Sequence, residues 1–235
     1  MILDIDHIAL SSSDFLNDVE IFSGFDYKLE FKENKIKNLI IKKKFMKNFS
    51  LNHDLCLLKS KSNINIELLH HEQTNKKNGF IVPIFEFPKK LYDIEKLHLK
   101  FKNSHIQYVL DESINNFIFN KFYVNSSNIE DSTIFWNKLG FKKMMQNQYV
   151  FKSIFSSKRY ELFLNFTSSK QDYFLDDNGC NCIAFLTNSI HNEKKNLETN
   201  YETSEIQTLH INKKDIEIFF VKGPSNELVE IISIK

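Results

Sequence analysis

The stretch GPSNELVEI, residues 223–231, places a carboxylate inside an apolar strand near the end of the chain. Side chains of an extended strand alternate between its two faces, so Glu230 shares a face with Leu228. Burying an unpaired charge is costly, and Glu230 therefore needs a cation, a hydrogen-bonding partner or water. The same pattern surrounds Glu67 in NINIELLHH and Glu161 in RYELFLNF. Three similar strands at separate places in the chain indicate an internal repeat.

Each of the three strands closes a similar series of predicted elements, namely a strand, a helix and then further strands. The first copy begins with the strand IDHIALSS and the helix DFLNDVEIF, the second with FNKFYVNSS and NIEDSTIFWNKLGF, and the third with CNCIAFLTN and SIHNEKKNLE. Between the first two copies, FIVPIFEF has the character of another first strand, but the chain that follows it is too short for a full unit. We therefore predict three full βαβββ units and one truncated unit within residues 79–113.

The composition favours a soluble globular protein with a substantial core. Of the 235 residues, 42% are hydrophobic and 23 are Phe, whereas only five are Gly and three are Pro. These proportions argue against disordered and collagen-like proteins. A chain of this length has room for one large domain or two small ones.

Charge and cysteine content narrow the choice of partners. The formal net charge is +1 and Arg159 is the only arginine, which argues against a nucleic-acid partner because Arg supplies the bidentate contacts to phosphate and guanine. No apolar run approaches the roughly 20 residues that cross a bilayer, and the first ten residues lack the character of a signal peptide. The three cysteines make an odd count that suits a reducing compartment. We therefore expect a cytoplasmic protein without a membrane or nucleic-acid partner.

The order and spacing of three motifs resemble the vicinal oxygen chelate superfamily, the group of glyoxalase I, extradiol dioxygenases and the fosfomycin and bleomycin resistance proteins. The motifs are HIALSSSD in the first strand, FWNKLGF at the end of a helix and GPSNELVEI around the start of the last strand. The resemblance covers nearly the whole chain and implies an α+β fold in which repeated βαβββ units form cup-like mixed sheets. It also implies an N-terminal domain of residues 1–115, with one full and one truncated unit, and a C-terminal domain of residues 116–235, with two full units.

The resemblance further implies a site in the concavity of the cup. In this superfamily a metal there is held by residues of each unit's first strand, usually His, and last strand, usually Glu. The corresponding first-strand positions in this chain are His7, Val82, Lys121 and Cys182. The corresponding last-strand positions are Glu67, Glu161 and Glu230. The three glutamates are therefore expected to face the cup.

The pairing of units decides which of these residues meet, and two pairings are open. Pairing of the last two full units would bring together Lys121, Glu161, Cys182 and Glu230. The lysine ammonium of that set could pair with a glutamate and replace the charge of a metal. Pairing of the first and last units would bring together His7, Glu67, Cys182 and Glu230. One His with two carboxylates suits Zn, Fe, Mn or Ni, and a thiolate would favour Zn; a metal-free cup is the other interpretation.

Two functions follow from these alternatives. In the first, an enzyme binds a small oxygen-rich metabolite, with Glu67 or Glu230 as metal ligand or as the general base that takes a proton next to a carbonyl. Its chemistry would be that of a lyase, an isomerase or a dioxygenase. In the second, a metal-free protein of the bleomycin-resistance type sequesters a small molecule. The residues expected to contact the ligand are Lys121, Tyr123, Glu161 and Phe163. Both functions are compatible with a homodimer.

His7 allows a geometric prediction. If it binds a metal together with Glu67, one imidazole nitrogen should lie within roughly 4 Å of a Glu67 oxygen and the other should meet an acceptor. His70 and His71 follow Glu67 and point to opposite faces of the strand, so only one of them can lie on the Glu67 side.

Overall fold

The computed structural model describes residues 1–12, 14–73, 75–92 and 106–234. The first unit contains β1 (Ile2–Ser11), α1 (Phe15–Ser23), β2 (Lys28–Lys37), a 3-10 helix (Ile40–Phe45), β3 (Asn52–Lys59) and β4 (Asn65–His70). After the short strand β5 (Asn75–Asn78), the truncated unit contains β6 (Ile81–Pro88) and β7 (Gln107–Asp111). The middle unit contains β8 (Ile118–Ser126), α2 (Ile129–Lys138), β9 (Lys142–Met145), β10 (Gln148–Lys152) and β11 (Arg159–Phe166). The last unit contains β12 (Asp177–Thr187), α3 (Ile190–Glu198), β13 (Glu202–Thr203), β14 (Gln207–Ile211), β15 (Lys214–Lys222) and β16 (Leu228–Ile234). None of the helices in this described part of the chain is long and apolar enough to cross a membrane.

Each full unit has the same strand arrangement, which confirms the predicted βαβββ repeat. In each one the first strand pairs in parallel with the last strand, so that β1 pairs with β4, β8 with β11 and β12 with β16. The glutamates occupy matching places on the three last strands. Their register partners on the first strands give the pairs Ala9–Glu67, Lys121–Glu161 and Ala184–Glu230.

The first unit pairs with the last unit through the antiparallel ladder between β1 and β12, in which His7 lies opposite Ala184. Together the two units have the strand order β2-β3-β4-β1-β12-β16-β15-β14. We call these eight strands the first half-sheet. Of the two pairings derived from the sequence, this is the one that gathers His7, Glu67 and Glu230 on adjacent and flanking strands.

The truncated unit completes the sheet of the middle unit. FIVPIFEF forms β6, as predicted, and it pairs antiparallel with β8 and parallel with β7. The six strands β7-β6-β8-β11-β10-β9 form the second half-sheet, which joins the first through the pair Cys180 and Ile81. The predicted N-terminal domain groups this segment with the first unit, but in the described part of the chain β6 does not pair with β1, which has β4 on one side and β12 on the other. Strand pairing crosses the predicted boundary at residues 115 and 116 in both half-sheets, and the division into two domains stays a prediction.

The motif FWNKLGF forms the end of α2 and the turn that leads into β9. The Asn128 side chain caps this helix by accepting a hydrogen bond from a backbone N–H of the first turn. Phe135 and Trp136 are fully buried in the core. Gly140 then adopts a φ of +97°, where a Cβ would lie 2.9 Å from the Phe151 ring. The return of the chain into β9 therefore requires glycine at this position.

The high Phe content has its counterpart in an aromatic core. Phe117 packs against Phe25, Phe85 and Phe87, with ring centroids 5.0, 5.2 and 5.0 Å away, respectively. Aromatic side chains bury large areas, and their edge-to-face and offset arrangements add to the stabilisation from burial. This core joins β6 to the chain that follows α1 and to the residue that precedes β8.

Candidate functional site

Three polar side chains of the first half-sheet converge where its two units meet. His7 is on β1, Glu67 is on the neighbouring β4, and Glu230 is on β16, the neighbour of β12. The residues in register with the two glutamates are Ala9 and Ala184. Because alanine side chains end at Cβ, they leave room for the imidazole and the carboxylates to approach one another. The pattern of the strands thus builds a polar site within an apolar sheet.

The ligand-type atoms of these three residues lie close together and are shielded from solvent. His7 Nε2 is 3.4 Å from Glu67 Oε2 and 3.8 Å from Glu230 Oε2. One such atom from each residue lies within 4.8 Å of the other two. The side chains of His7, Glu67 and Glu230 are 8%, 15% and 11% exposed. We call these three residues the His7 cluster.

Asp6 fixes the orientation of the His7 ring. Its Oδ2 accepts a hydrogen bond of 2.8 Å from His7 Nδ1, so Nε2 is the nitrogen that faces the glutamates. Nε2 is buried and has no hydrogen-bond partner in the described part of the chain. An imidazole whose second nitrogen is held by a carboxylate is the usual arrangement at metal ions. The distances agree with the geometry predicted for His7, whereas the role of these residues as metal ligands stays a prediction.

The charges within the His7 cluster depend on one another. Burial disfavours the charged imidazole, but the charge of Glu67 and the hydrogen bond to Asp6 outweigh burial and raise the pKa of His7 well above its ordinary value of 6.5. Burial likewise disfavours the Glu67 carboxylate, but the charge of His7 lowers the pKa of Glu67. Burial, together with the charge of Glu67, raises the pKa of Glu230 to about 7. The two carboxylates therefore differ in protonation near neutral pH.

Cys182 lies near the His7 cluster but is not among its converging atoms. It is a buried residue of β12, opposite Ala9 and two residues before Ala184. Burial and the charges of Glu230 and Glu67 raise the pKa of its thiol well above the ordinary value of 9. A cysteine binds metal as the thiolate, which this environment disfavours. The group of atoms within 4.8 Å of one another does not include the sulfur, and the role of Cys182 as a ligand stays a prediction.

The remaining predicted site residues lie on the second half-sheet. Lys121 is in register with Glu161, yet its Nζ pairs with Oε1 of Glu86 on β6, at 2.7 Å. Glu161 instead accepts a hydrogen bond of 3.1 Å from Gln148. Lys121 therefore pairs with a glutamate, as one of the two interpretations of the sequence allows, but that glutamate is Glu86 and not Glu161. Local sequence does not indicate Glu86, because its neighbour depends on the pairing of β6 with β8.

Tyr123 and Phe163 form an aromatic patch on the same half-sheet. They are in register on β8 and β11, and their ring centroids lie 5.4 Å apart. Tyr123 also lines a cavity of about 370 Å³, whose other lining residues in the described part of the chain are Val82, Ile106, Gln107, Asn125 and Asn165. Concave surfaces that combine aromatic rings with a few amides suit small-molecule binding.

Of the two histidines that follow Glu67, His71 lies on the Glu67 side of the strand. His70 turns to the other face, where its Nδ1 is 3.1 Å from the carbonyl oxygen of Ser12. His71 packs against His53 of β3, with ring centroids 5.5 Å apart. The sequence gives no sign of His53 as a site residue, because its neighbour across an antiparallel ladder depends on the register.

No protein-family model matches the chain, and a search of curated proteins finds no match. Solved structures, in contrast, match nearly the whole chain. A mutant of glyoxalase I from Zea mays is 14% identical with a TM-score of 0.61, covering 97% of this chain and 92% of that chain. Glyoxalase I from Zea mays itself gives a TM-score of 0.56 with the same identity and coverage. A candidate dioxygenase from Bacillus subtilis is 10% identical with a TM-score of 0.59, covering 99% of this chain and 85% of that chain. At such identities the likeness shows a shared fold.

Proposed function

We propose, from the vicinal oxygen chelate fold of this chain, that it binds a small oxygen-rich metabolite and a divalent cation at the His7 cluster and moves a proton at a carbon next to a carbonyl. The observation that carries the proposal is the convergence of one buried imidazole and two carboxylates within 4.8 Å. Two carboxylates in a shielded place repel each other, and a positive charge between them removes that cost. In the described structure, His7 holds that central position.

The residues present suit a divalent cation. His7 Nε2 is buried, lacks a hydrogen-bond partner among the described residues and faces both glutamates. Asp6 holds the other ring nitrogen and would keep the ring in place when Nε2 loses its proton. One imidazole and two carboxylates are ligands for Zn, Fe, Mn or Ni, and three protein ligands leave positions for oxygens of a metabolite. A cation bound there would polarise those oxygens as a Lewis acid.

The two glutamates of the cluster have different roles in this proposal. Glu67 has a lowered pKa and keeps its negative charge beside His7. Glu230 has a raised pKa of about 7 in the metal-free chain and is the more basic of the two carboxylates, which suits it to accept and return a proton. Neighbouring carboxylates whose environments separate their pKa values are typical of sites that use one as a charge and the other as a base. Glu230 is therefore the proton acceptor for the C–H bond next to the carbonyl.

The cation is tested by the metal content of the purified protein after loading with Zn(II), Fe(II), Mn(II) or Ni(II) and desalting. We expect one equivalent of one of these ions in the wild type and loss of the ion in His7→Ala and Glu67→Gln. Glu161→Gln is the matched control, because Glu161 has the same place in its unit but lies on the other half-sheet. A His7→Ala protein that keeps its full metal content would overturn this part of the proposal.

Proton transfer is tested with hydroxyacetone as a small probe that carries two neighbouring oxygens and an exchangeable C–H bond. The loaded protein in D2O should speed the exchange of this proton, followed by proton NMR. Glu230→Gln should abolish the acceleration, while Glu161→Gln keeps it. Equal rates in wild type and Glu230→Gln would contradict the role of Glu230.

The second half-sheet supports a second candidate function, the metal-free binding of a small molecule. The observation that favours it is the Lys121–Glu86 ion pair beside the Tyr123–Phe163 aromatic patch. A protein stripped of metal by a chelator should then still bind an aromatic amine, measured by quenching of protein fluorescence, and Tyr123→Ala should weaken that binding. Unchanged quenching in Tyr123→Ala would exclude this surface. A homodimer stays a prediction.

A further inference from the structure

A pair of buried histidines lies on the same face of the first half-sheet as Glu67. Glu67 is paired with Leu57 across the ladder between β3 and β4. His71 is four residues beyond Glu67, and His53 is four residues before Leu57, so the alternation of side chains places both on that face. Their ring centroids are 5.5 Å apart and their planes are inclined by 31°. The distance from Glu67 along the strand is roughly 13 Å.

The polar atoms of this pair have no partner among the described residues. His53 and His71 are only 5% and 3% exposed. All four of their ring nitrogens are buried without a hydrogen bond in the described part of the chain. Buried polar groups are rarely left in this condition, and a neutral imidazole carries one donor and one acceptor. Four such atoms side by side indicate a place for a polar group of a ligand.

Lys42, on the 3-10 helix, brings a positive charge to this face of the first half-sheet. Its Nζ lies 5.8 Å from the centroid of the Phe220 ring, and Phe220 is in register with Glu230. Burial, followed by the charge of Lys42, lowers the pKa of His53 to about 2 and that of His71 to about 4. Lys42 forms no ion pair with any of the described residues. An ammonium that lacks an ion pair among the described residues, and whose charge acts on two neutral rings, favours an anion over a metal cation.

Asp176, whose charge acts on His71, is already hydrogen-bonded to the backbone. Asp176 accepts hydrogen bonds of 2.7 and 2.8 Å from the backbone N–H groups of Lys47 and Asn48. Its charge is therefore used to hold the loop that follows the 3-10 helix. It does not neutralise Lys42, with which it forms no ion pair among the described residues.

We propose that Lys42, His53 and His71 form a subsite for an oxyanion, a carboxylate or a phosphate ester, on the metabolite whose other end lies at the His7 cluster. Lys42 supplies the charge, and each imidazole supplies an N–H donor. The placement of the metabolite's other end at the His7 cluster rests on the proposed function. Binding of the anion at this subsite needs no metal. The substrate class is a small organic acid or phosphate ester that spans on the order of 10 Å between its two polar ends.

The test uses the full chain, stripped of metal by a chelator and titrated separately with inorganic phosphate and with acetate. Calorimetry gives the affinities, and the imidazole 15N shifts report contact with His53 and His71. The variants are Lys42→Gln, His53→Gln and His71→Gln. Lys43→Gln is the matched control, because Lys43 is the exposed neighbour on the same 3-10 helix.

We expect phosphate or acetate to bind and to shift both imidazole signals. The anion that binds more tightly identifies the ligand group as a phosphate ester or a carboxylate. Lys42→Gln should weaken binding about tenfold or more, as expected for loss of a charge-assisted hydrogen bond, while Lys43→Gln stays within about twofold of wild type. Equal affinities of the Lys42 and Lys43 variants, or imidazole signals that neither anion shifts, would overturn the subsite. So would Zn(II) shifting both signals in His7→Ala.

A failure of this inference is separable from a failure of the proposed function. His7→Ala should lose the cation and still bind phosphate or acetate as the wild type does. If the wild type holds no cation but binds the anion at His53 and His71, the subsite stands and the proposed function falls. If the wild type holds a cation at the His7 cluster but binds neither anion, the reverse conclusion applies.

Discussion

Asp6 and Glu67 act on the same imidazole from opposite sides, since His7 Nδ1 lies 2.8 Å from Asp6 and His7 Nε2 lies 3.4 Å from Glu67. The ring is therefore oriented by the protein itself and needs no metal to set its direction. A cation that replaces the proton on Nε2 would find its ligands already in place, which lowers the cost of ordering them on binding. Asp6 is the residue on which this arrangement depends.

Replacing Asp6 by Asn should weaken metal binding without removing any of the three proposed ligands. The neutral amide orients the His7 ring less firmly and supports its basicity less, and losses of this kind cost about 10- to 100-fold in metal affinity. A competitive titration of Zn(II) against a chelator measures the change. Asp215→Asn is the control, because Asp215 holds His210 at the same 2.8 Å on an exposed surface. Identical Zn(II) affinities for wild type and Asp6→Asn would show that Asp6 has no such influence.

Replacing Glu230 by Gln should stabilise the metal-free protein and destabilise the metal-loaded one relative to wild type. The pKa of Glu230 is raised from 4.5 to about 7, so its stabilising contribution is complete below pH 4.5 and is lost as the pH rises through about 7. At pH 8 the ionised side chain costs about 3 kcal/mol, which the neutral amide avoids. Urea unfolding at pH 8 with a chelator, and again with excess Zn(II), measures both effects. A Glu230→Gln protein that is less stable than wild type in both conditions contradicts the proposed repulsion between Glu67 and Glu230.

The two buried histidines should make the protein sensitive to acid. The pKa values of His53 and His71 lie at about 2 and about 4 in the folded chain, below the ordinary 6.5, so their contribution is complete above pH 6.5 and is lost as the pH falls. Each group lowers the free energy of unfolding by about 1.4 kcal/mol per pH unit in that range. Between pH 7.5 and pH 5, wild type should lose about 4 kcal/mol more than a His53→Gln/His71→Gln double variant.

Urea unfolding at a series of pH values measures this difference. His191→Gln, which changes an exposed histidine, should leave the acid slope unchanged. An equal slope in wild type and the double variant would mean that the two rings are not held neutral by their surroundings.

The repeat could be predicted from the sequence, but the assembly of the repeats could not. Glu67, Glu161 and Glu230 recur in the same local pattern, and local patterns report the face and order of strands within a unit. Which unit pairs with which is decided by contacts distant in sequence, such as the ladder that sets His7 opposite Ala184. Two pairings therefore satisfied the sequence equally well.

Contacts that depend on the pairing of strands were therefore missed in the sequence. Glu86 became a partner of Lys121 only because β6 lies beside β8. His53 became a neighbour of His71 only through the register of β3 and β4. In both cases the residue type was visible in the sequence, but nothing local could indicate what it would face.

The Lys121–Glu86 ion pair should contribute measurably to stability, because it is partly shielded from solvent. The Glu86 side chain is mostly buried, so Lys121→Met would leave a carboxylate without its partner. Removing one member of a fully buried pair costs about 3–5 kcal/mol, and exposed pairs contribute about 0–1 kcal/mol. For this intermediate pair we expect Lys121→Met to lower the free energy of unfolding by about 1–3 kcal/mol. Lys89→Met is the control, because Lys89 pairs with Glu112 at a similar 2.6 Å on an exposed surface, and it should change stability by less than about 1 kcal/mol.

The double variant Lys121→Met/Glu86→Leu separates the ion pair from the packing of its side chains. With both charges removed, no buried carboxylate is left unpaired, and most of the lost stability should return. Urea unfolding of the two single variants and the double variant gives the coupling energy directly. A double variant as unstable as the sum of its two single variants would show that Lys121 and Glu86 act independently, although their charged atoms lie 2.7 Å apart.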